Sequence, residues 1–337
     1  MNAYNEKILS IVIPSYNVEK YLCTTLESIL DCNKKEQIEI LIVNDGSKDG
    51  TLFIAQDYEN KYESIVKVID KENGGHGSAI NAGVKVATGK FIKLLDGDDW
   101  VDAQALDNII SELQKSSADL ILSPFIKVFC DGDTIVTKEK VEISDLVDRK
   151  HYSINKILEI IDFFPMHGII YKANVIKKSK LIREKCFYVD QEYVTFPICY
   201  VNDCVYVDEP LYQYRLGRTD QSMNISNMIK NREMHRKVIE DIVDYYYTAS
   251  LDSSIKAYVY NRILRLSETQ FEIYYSMGSW RQGRKETKNF IDYLKTKCYE
   301  VWENLSRKQE RLIKKTSYAY FVIVIVNKAK CIIKKIK

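Results

Sequence analysis

Apolar, β-branched runs recur along the first third of the chain at residues 9–13, 38–43, 65–69, 91–95 and 120–122. Helix-compatible stretches separate them, at residues 19–30, 51–62, 78–87 and 103–115. Strands that read as near-continuous apolar runs, alternating with helices, predict an α/β fold with a mostly parallel sheet covered on both faces. Such sheets bind ligands beyond the carboxyl ends of their strands. Polar and turn-forming residues gather at those ends here: Pro14-Ser15-Tyr16-Asn17, Asn44-Asp45-Gly46-Ser47, Asn73-Gly74-Gly75-His76-Gly77 and Asp96-Gly97-Asp98-Asp99. Turn chemistry accounts for any one of these loops. Four of them converging on one sheet edge imply a pocket.

Beyond residue 225 the pattern turns helical, with apolar spacing over 229–247 and 255–275 and, after a polar break at 277–283, over 290–313. Two regions follow: 1–225, itself divided into a ligand-binding half (1–125) and a second half (126–225), and a helical region, 226–337. Charge divides the same way. The net charge of +2 conceals 23 Lys/Arg against 12 Asp/Glu from residue 226 onward, and 26 against 35 before it. The last 24 residues, 314–337, hold seven lysines and no acidic side chain, around an apolar segment at 318–326. That segment is far shorter than the ~20 residues needed to cross a bilayer. It suits a peripheral anchor on an anionic, inner membrane surface, or else a helix packed on its own domain. Eight cysteines without a C-x-x-C pair, and no secretory signal ahead of Ile8, fit free thiols in a cytoplasmic setting. Basic residues without an aromatic RNA-binding motif make no case for a nucleic-acid partner.

The acidic cluster carries the chemistry. Asp96, Asp98 and Asp99 repel one another at neutral pH unless a cation or donor sits among them, and hard oxygen ligands suit Mg2+ or Mn2+, especially with phosphates completing the shell. The competing reading is a plain acidic turn, with Asp99 or Asp102 capping a helix over 105–113.

VIPSYN at 12–17, IVNDGSKDGT at 42–51, NGGHGSAINAG at 73–83 and LLDGDDW at 94–100 resemble, in order and spacing, the family 2 nucleotide-sugar glycosyltransferases. The resemblance continues more weakly to about residue 225. It implies the nucleotide-diphospho-sugar transferase sandwich of the GT-A type, a UDP-sugar or other NDP-sugar donor, a divalent metal and inversion at the anomeric carbon. It further implies that Tyr16 stacks on the base above a turn shaped by Pro14 and Ser15, and that Asp45 accepts from the uracil imide. Gly74, Gly75 and Gly77 would admit the diphosphate, with Asn81 at the edge of the donor site. Asp96, Asp98 and Asp99 would hold ribose and metal, with Asp98 the first choice for the cation. Where the family often carries an arginine before Asn81, this chain has Ile80, which leaves Lys71 or His76 to replace that contact.

Inverting transfer also needs a carboxylate that takes the proton from the attacking hydroxyl. The stretch 187–193 resembles the family's Glu-Asp-x-x-Phe segment, which places Asp190 on the base. The usual preceding Glu is Val189 here, so Glu192 is the second candidate; Asp190 could also simply cap a helix over 191–200. Arg215 and Arg218 lie in a polar loop that could close over the diphosphate. His167 reads as a core histidine ahead of a strand at 169–171. The expected activity is metal-dependent transfer of a sugar to a hydroxyl of a glycan or lipid-linked glycan, in cell-envelope polysaccharide biosynthesis. The alternatives are a catalytically silent nucleotide-sugar-binding partner and a sugar-phosphate nucleotidyltransferase. Homo-oligomerisation stays open.

Overall fold

The computed structural model describes residues 7–132, 134–143, 146–217 and 224–305. The described strands are β1 (Leu9–Ser15), β2 (Ile38–Asp45), β3 (Val66–Lys71), β4 (Phe91–Leu94), β5 (Trp100–Val101), β6 (Leu120–Leu122), β7 (Phe125–Asp131), β8 (Thr134–Val141), β9 (His151–Ser153), β10 (Ile169–Lys172), β11 (Asp203–Tyr206) and β12 (Tyr212–Leu216). The chain divides into two compact units at residues 218/219.

In the first unit one sheet has the order β3-β2-β1-β4-β10-β6-β11-β9. Strands β1 to β4 pair in parallel, as the apolar runs predict, so their carboxyl ends share one edge. The second half departs from that rule. β10 inserts antiparallel between β4 and β6, and β9 runs antiparallel on the far edge. A smaller sheet, β5-β12-β7-β8, has no counterpart in the sequence reading. Its outer strand β8 is exposed over nearly its whole length, so it lacks the apolar face by which strands announce themselves.

Alternation along β1 and β2 sends Leu9, Ile11, Ile13, Ile38, Ile40 and Ile42 to one face. There they pack on Leu22, Leu26 and Ile29 of the helix Leu22–Leu30 and on Ile109 and Leu113 of the helix Ala103–Lys115. Each such side chain contributes roughly 1.5–3 kcal/mol by leaving water. Asp102, not Asp99, caps the latter helix, accepting from the Ala105 amide at 2.9 Å.

The second unit is helical: Ile225–Lys230, Arg232–Thr248, Ser253–Tyr275, Trp280–Lys297 and Tyr299–Asn304. The fourth helix starts ten residues before its expected position at 290, because Ser279 caps it and buried Gly283 is tolerated inside it. The basic tail at 314–337 lies outside the described residues. Among the described residues no helix is long and apolar enough to cross a membrane, and the seven described cysteines are free.

Candidate active site

The site begins where β1, β2, β3 and β4 end. Asn17 ties the first two loops together: its amide donates to Ser47 Oγ at 3.0 Å, and its side-chain oxygen accepts from the Lys48 amide at 2.8 Å. That geometry holds Asn17 at φ 53°, a left-handed value that asparagine tolerates. Ser15 is buried and its hydroxyl donates to Ile13 O at 3.1 Å, so Pro14-Ser15 shapes the turn. Tyr16 stands at its rim, 50% exposed.

Asp45, 3% exposed, caps no helix. Its Oδ1 accepts from Gly74 N (2.9 Å) and Lys71 Nζ (2.7 Å), and its Oδ2 from Gly75 N (2.7 Å). It therefore builds the glycine turn. With two acceptor sites per oxygen, one lone pair remains on Oδ2 for an imide N–H. Gly75 sits at φ +82°, which a residue with a Cβ adopts only under strain. At Gly77 a Cβ would collide with the Arg183 carbonyl, because residues 182–186 lie directly over the turn. Asn81 holds that segment down: its Nδ2 donates to Ile182 O at 2.8 Å and its Oδ1 accepts from Ile182 N at 3.1 Å. Asn81, expected at the donor, spends both side-chain polar atoms on this strut.

The acidic turn is clamped from three sides. Thr25 Oγ1 donates to Asp99 O at 2.6 Å. Tyr212 Oη donates to Asp99 Oδ2 at 2.6 Å while accepting from the Asp96 amide at 3.2 Å. Arg215 gives its amide to Asp99 Oδ1 (2.7 Å) and its Nε to Asp98 O (2.9 Å). Its guanidinium lies between the rings of Tyr21 and Trp100, 4.9 and 4.7 Å from their centroids. Two expectations change accordingly. Asp99 is buried, and each of its oxygens accepts a bond from the protein. Arg215 positions the turn, whereas it was expected on the diphosphate; Arg218 lies outside the described residues.

Asp96 and Asp98 are left as the partly exposed carboxylates of the turn. Burial, with the charges of Asp98 and Asp190 adding to it, pushes the Asp96 carboxyl up to about 6, against the opposing pull of His76 and Lys93. Burial, with the charges of Asp98 and Asp96 adding to it, raises Asp99 well above its usual range. The cluster is thus short of positive charge. His76 Nε2 is 3.8 Å from Asp96 Oδ1, at the start of the helix His76–Val86, whereas Lys71 is bound to Asp45. Of the two substitutes for the missing arginine, His76 is the one that reaches the acidic turn. Among the described residues no three His, Cys, Asp or Glu side chains form a metal-holding group. The donor set nevertheless fits a hard divalent cation that takes its remaining ligands from phosphate oxygens.

Asp190 occupies the first position of the short helix Asp190–Tyr193; Val189 is at the cap, and the helix stops well short of the expected residue 200. Partly exposed, Asp190 accepts from Gln191 Nε2 at 2.7 Å, and its charge reaches Asp96. Glu192, 1% exposed, is a strut whose Oε2 accepts from the Arg183 amide at 2.7 Å. Tyr188, just before the site, adopts φ 66°, and a non-glycine residue held there is backbone strain of the kind that clusters at functional sites.

One feature has no counterpart in the sequence pattern. Lys93, on β4 beneath the turn, is 1% exposed; its Nζ donates to His167 O (2.7 Å) and Ile169 O (3.2 Å) and lies 5.0 Å from the Tyr212 ring centroid. The signal was a lysine inside the apolar run 91–95. His167 stacks between Phe125 and Tyr214, and burial followed by the charges of Lys93 and Lys127 pushes it down to about 3, so it is neutral. It is a packed histidine, as expected.

The family model described as glycosyl transferase family 2 matches residues 10–183. The chain is 30% identical over 213 residues to EpsH of Bacillus subtilis (strain 168), which is named as a glycosyltransferase; the match covers 62% of this chain and 60% of EpsH. It is 32% identical over 177 residues to the poly(ribitol-phosphate) beta-glucosyltransferase of Bacillus spizizenii, covering 51% of this chain and 26% of that protein. The chain thus spans less than two thirds of the length of these relatives. In structure it is similar to residues 1–349 of S. aureus TarS in complex with UDP-GlcNAc, with a TM-score of 0.68, 18% identity, and coverage of 95% of this chain and 89% of that one.

Proposed function

Because the chain belongs to glycosyl transferase family 2, we propose that it transfers a sugar, with inversion, from a UDP-sugar to a hydroxyl of a glycan or lipid-linked glycan of the cell envelope. The observation that carries this reading is the pairing of a partly exposed Asp190 with the crowded Asp96–Asp98 turn beyond the strand ends. Asp190 takes the proton of the acceptor hydroxyl. The freed oxygen bonds to the anomeric carbon as the bond from that carbon to the diphosphate oxygen breaks, and UDP leaves with the electron pair. Asp98, with Asp96 beside it, would hold a Mn2+ or Mg2+ ion. When bound there, such an ion would supply Lewis-acid stabilisation of the charge on the departing diphosphate. Tyr16 covers the base, and the remaining lone pair of Asp45 receives the imide.

The relative named as a poly(ribitol-phosphate) beta-glucosyltransferase and the TarS complex with UDP-GlcNAc support a UDP-sugar and a polymeric acceptor. We place the protein at the cytoplasmic face of the membrane, held there by its basic tail.

The test is a screen of nucleotide sugars by thermal shift and by release of UDP. A bound donor at ~100 times its dissociation constant adds roughly 2.7 kcal/mol of stability. Release of UDP from one donor supports the transferase. Stabilisation by a donor that is never turned over, with any acceptor offered, identifies a silent binding partner instead. Within this reading, Asp98→Asn should weaken UDP binding in Mn2+ by roughly 10- to 100-fold, a typical scale for damage to a metal site, and leave the fold intact. Calorimetric titration with and without Mn2+ checks this, and unchanged affinity removes Asp98 from the site.

A further inference from the structure

The helix Trp280–Lys297 carries Gly283, Thr287, Phe290 and Leu294 on its buried face, and Phe290 meets Phe271 edge to face at 5.2 Å. Its opposite face is strongly basic. Arg281, Arg284, Lys285, Lys288 and Lys295 fall within one exposed arc at helical spacing, interrupted only by Asp292. Among the described residues none of these five cations has an ion pair, whereas Glu286 on the flank is already paired to Arg232 at 3.6 Å. The stripe runs about 21 Å at 1.5 Å per residue. An exposed aromatic lies next to either end in the chain: Trp280, 44% exposed, and Tyr299, 56% exposed, which opens the following helix.

We propose that this face docks on an anionic lipid surface. This inference rests on the membrane placement of the preceding section and assigns part of that attachment to a structured helix. The apolar side of the helix is already packed in the protein, so the contact is electrostatic and does not insert the helix. Basic side chains near an anionic leaflet act additively over about a Debye length, and Trp and Tyr favour the level of the headgroups. The bounding aromatics and the seven lysines of the following tail argue for a lipid surface over a soluble polyanion.

The experiment is co-sedimentation of the full chain with vesicles of phosphatidylcholine alone and with one third phosphatidylglycerol. The native chain and the variant R281Q/R284Q/K285Q/K288Q are compared, with heparin as a soluble polyanion and circular dichroism to verify the fold. The expected result is binding of the native chain to the anionic vesicles only, reversed by 0.5 M salt, and weakened at least tenfold in the variant, whose UDP release is unchanged. Equal binding by the two proteins overturns the helix as the docking face while keeping the membrane reading, and assigns attachment to the tail. Failure of the native chain to bind anionic vesicles overturns both. Heparin binding tighter than vesicle binding, and lost in the variant, marks the stripe as a polyanion site and overturns the lipid assignment.

Discussion

Asp190→Asn should retain UDP-sugar binding and lose transfer by roughly 100-fold or more, the usual scale for a positioned general base. The substitution conserves shape and the partner Gln191 but removes the group that takes the acceptor proton. Binding survives because the donor contacts proposed here come from the ends of β1, β2 and β4. Glu192→Gln is the control. Its amide oxygen can still accept from the Arg183 amide, so the segment over the glycine turn stays in place and transfer falls only modestly. Turnover rates and donor affinities for both variants decide the matter. If Asp190→Asn still transfers while Glu192→Gln does not, the base is Glu192 and the assignment of Asp190 is wrong.

The parallel half of the main sheet was readable in the sequence because β1, β2 and β4 are buried on both faces and so appear as apolar runs, with most of their polar residues gathered at the ends. The helix Ala103–Lys115 and the strand Leu120–Leu122 fall where the periodicity places them. Strand order was not readable: nothing in residues 169–172 says that they insert antiparallel between β4 and β6. Nor was the small sheet, because β5 has two residues and β8 is exposed. Within the site, sequence identified the polar residues that gather there but could not tell a ligand contact from a strut. Asp99, Asn81 and Arg215 belong to the stretches that carry the resemblance, yet each bonds to protein groups: Asp99 to Tyr212 and the Arg215 amide, Asn81 to the Ile182 backbone, and Arg215 Nε to Asp98 O. The difference lies in partners far apart in sequence, Asp99 with Arg215 and Asn81 with Ile182, which no local pattern encodes.

Lys93→Met should change how stability depends on pH more than it changes stability at any one pH. Burial pushes the Lys93 ammonium from 10.5 down to about 7, although the charge of Asp96 opposes the fall. Between those values the unfolded chain holds a proton that the folded chain has released. Native stability therefore climbs as pH rises through that window, by up to about 1.4 kcal/mol per pH unit for one group. Below pH 7 both states are protonated, and the folded chain carries the full cost of a buried cation, on the order of 4 to 5 kcal/mol. Methionine fills nearly the same volume without titrating. It leaves His167 O and Ile169 O without their lysine donor, a loss of roughly 1–3 kcal/mol for each carbonyl left unsatisfied. At pH 6.5 the two effects offset each other, and the variant should lie within a few kcal/mol of the native protein. By pH 9 the native protein should have gained roughly 2 kcal/mol or more over it. Urea denaturation at half-unit pH steps from 6.5 to 9 reads the difference directly, and parallel stability curves for the two proteins would mean that Lys93 keeps its proton throughout.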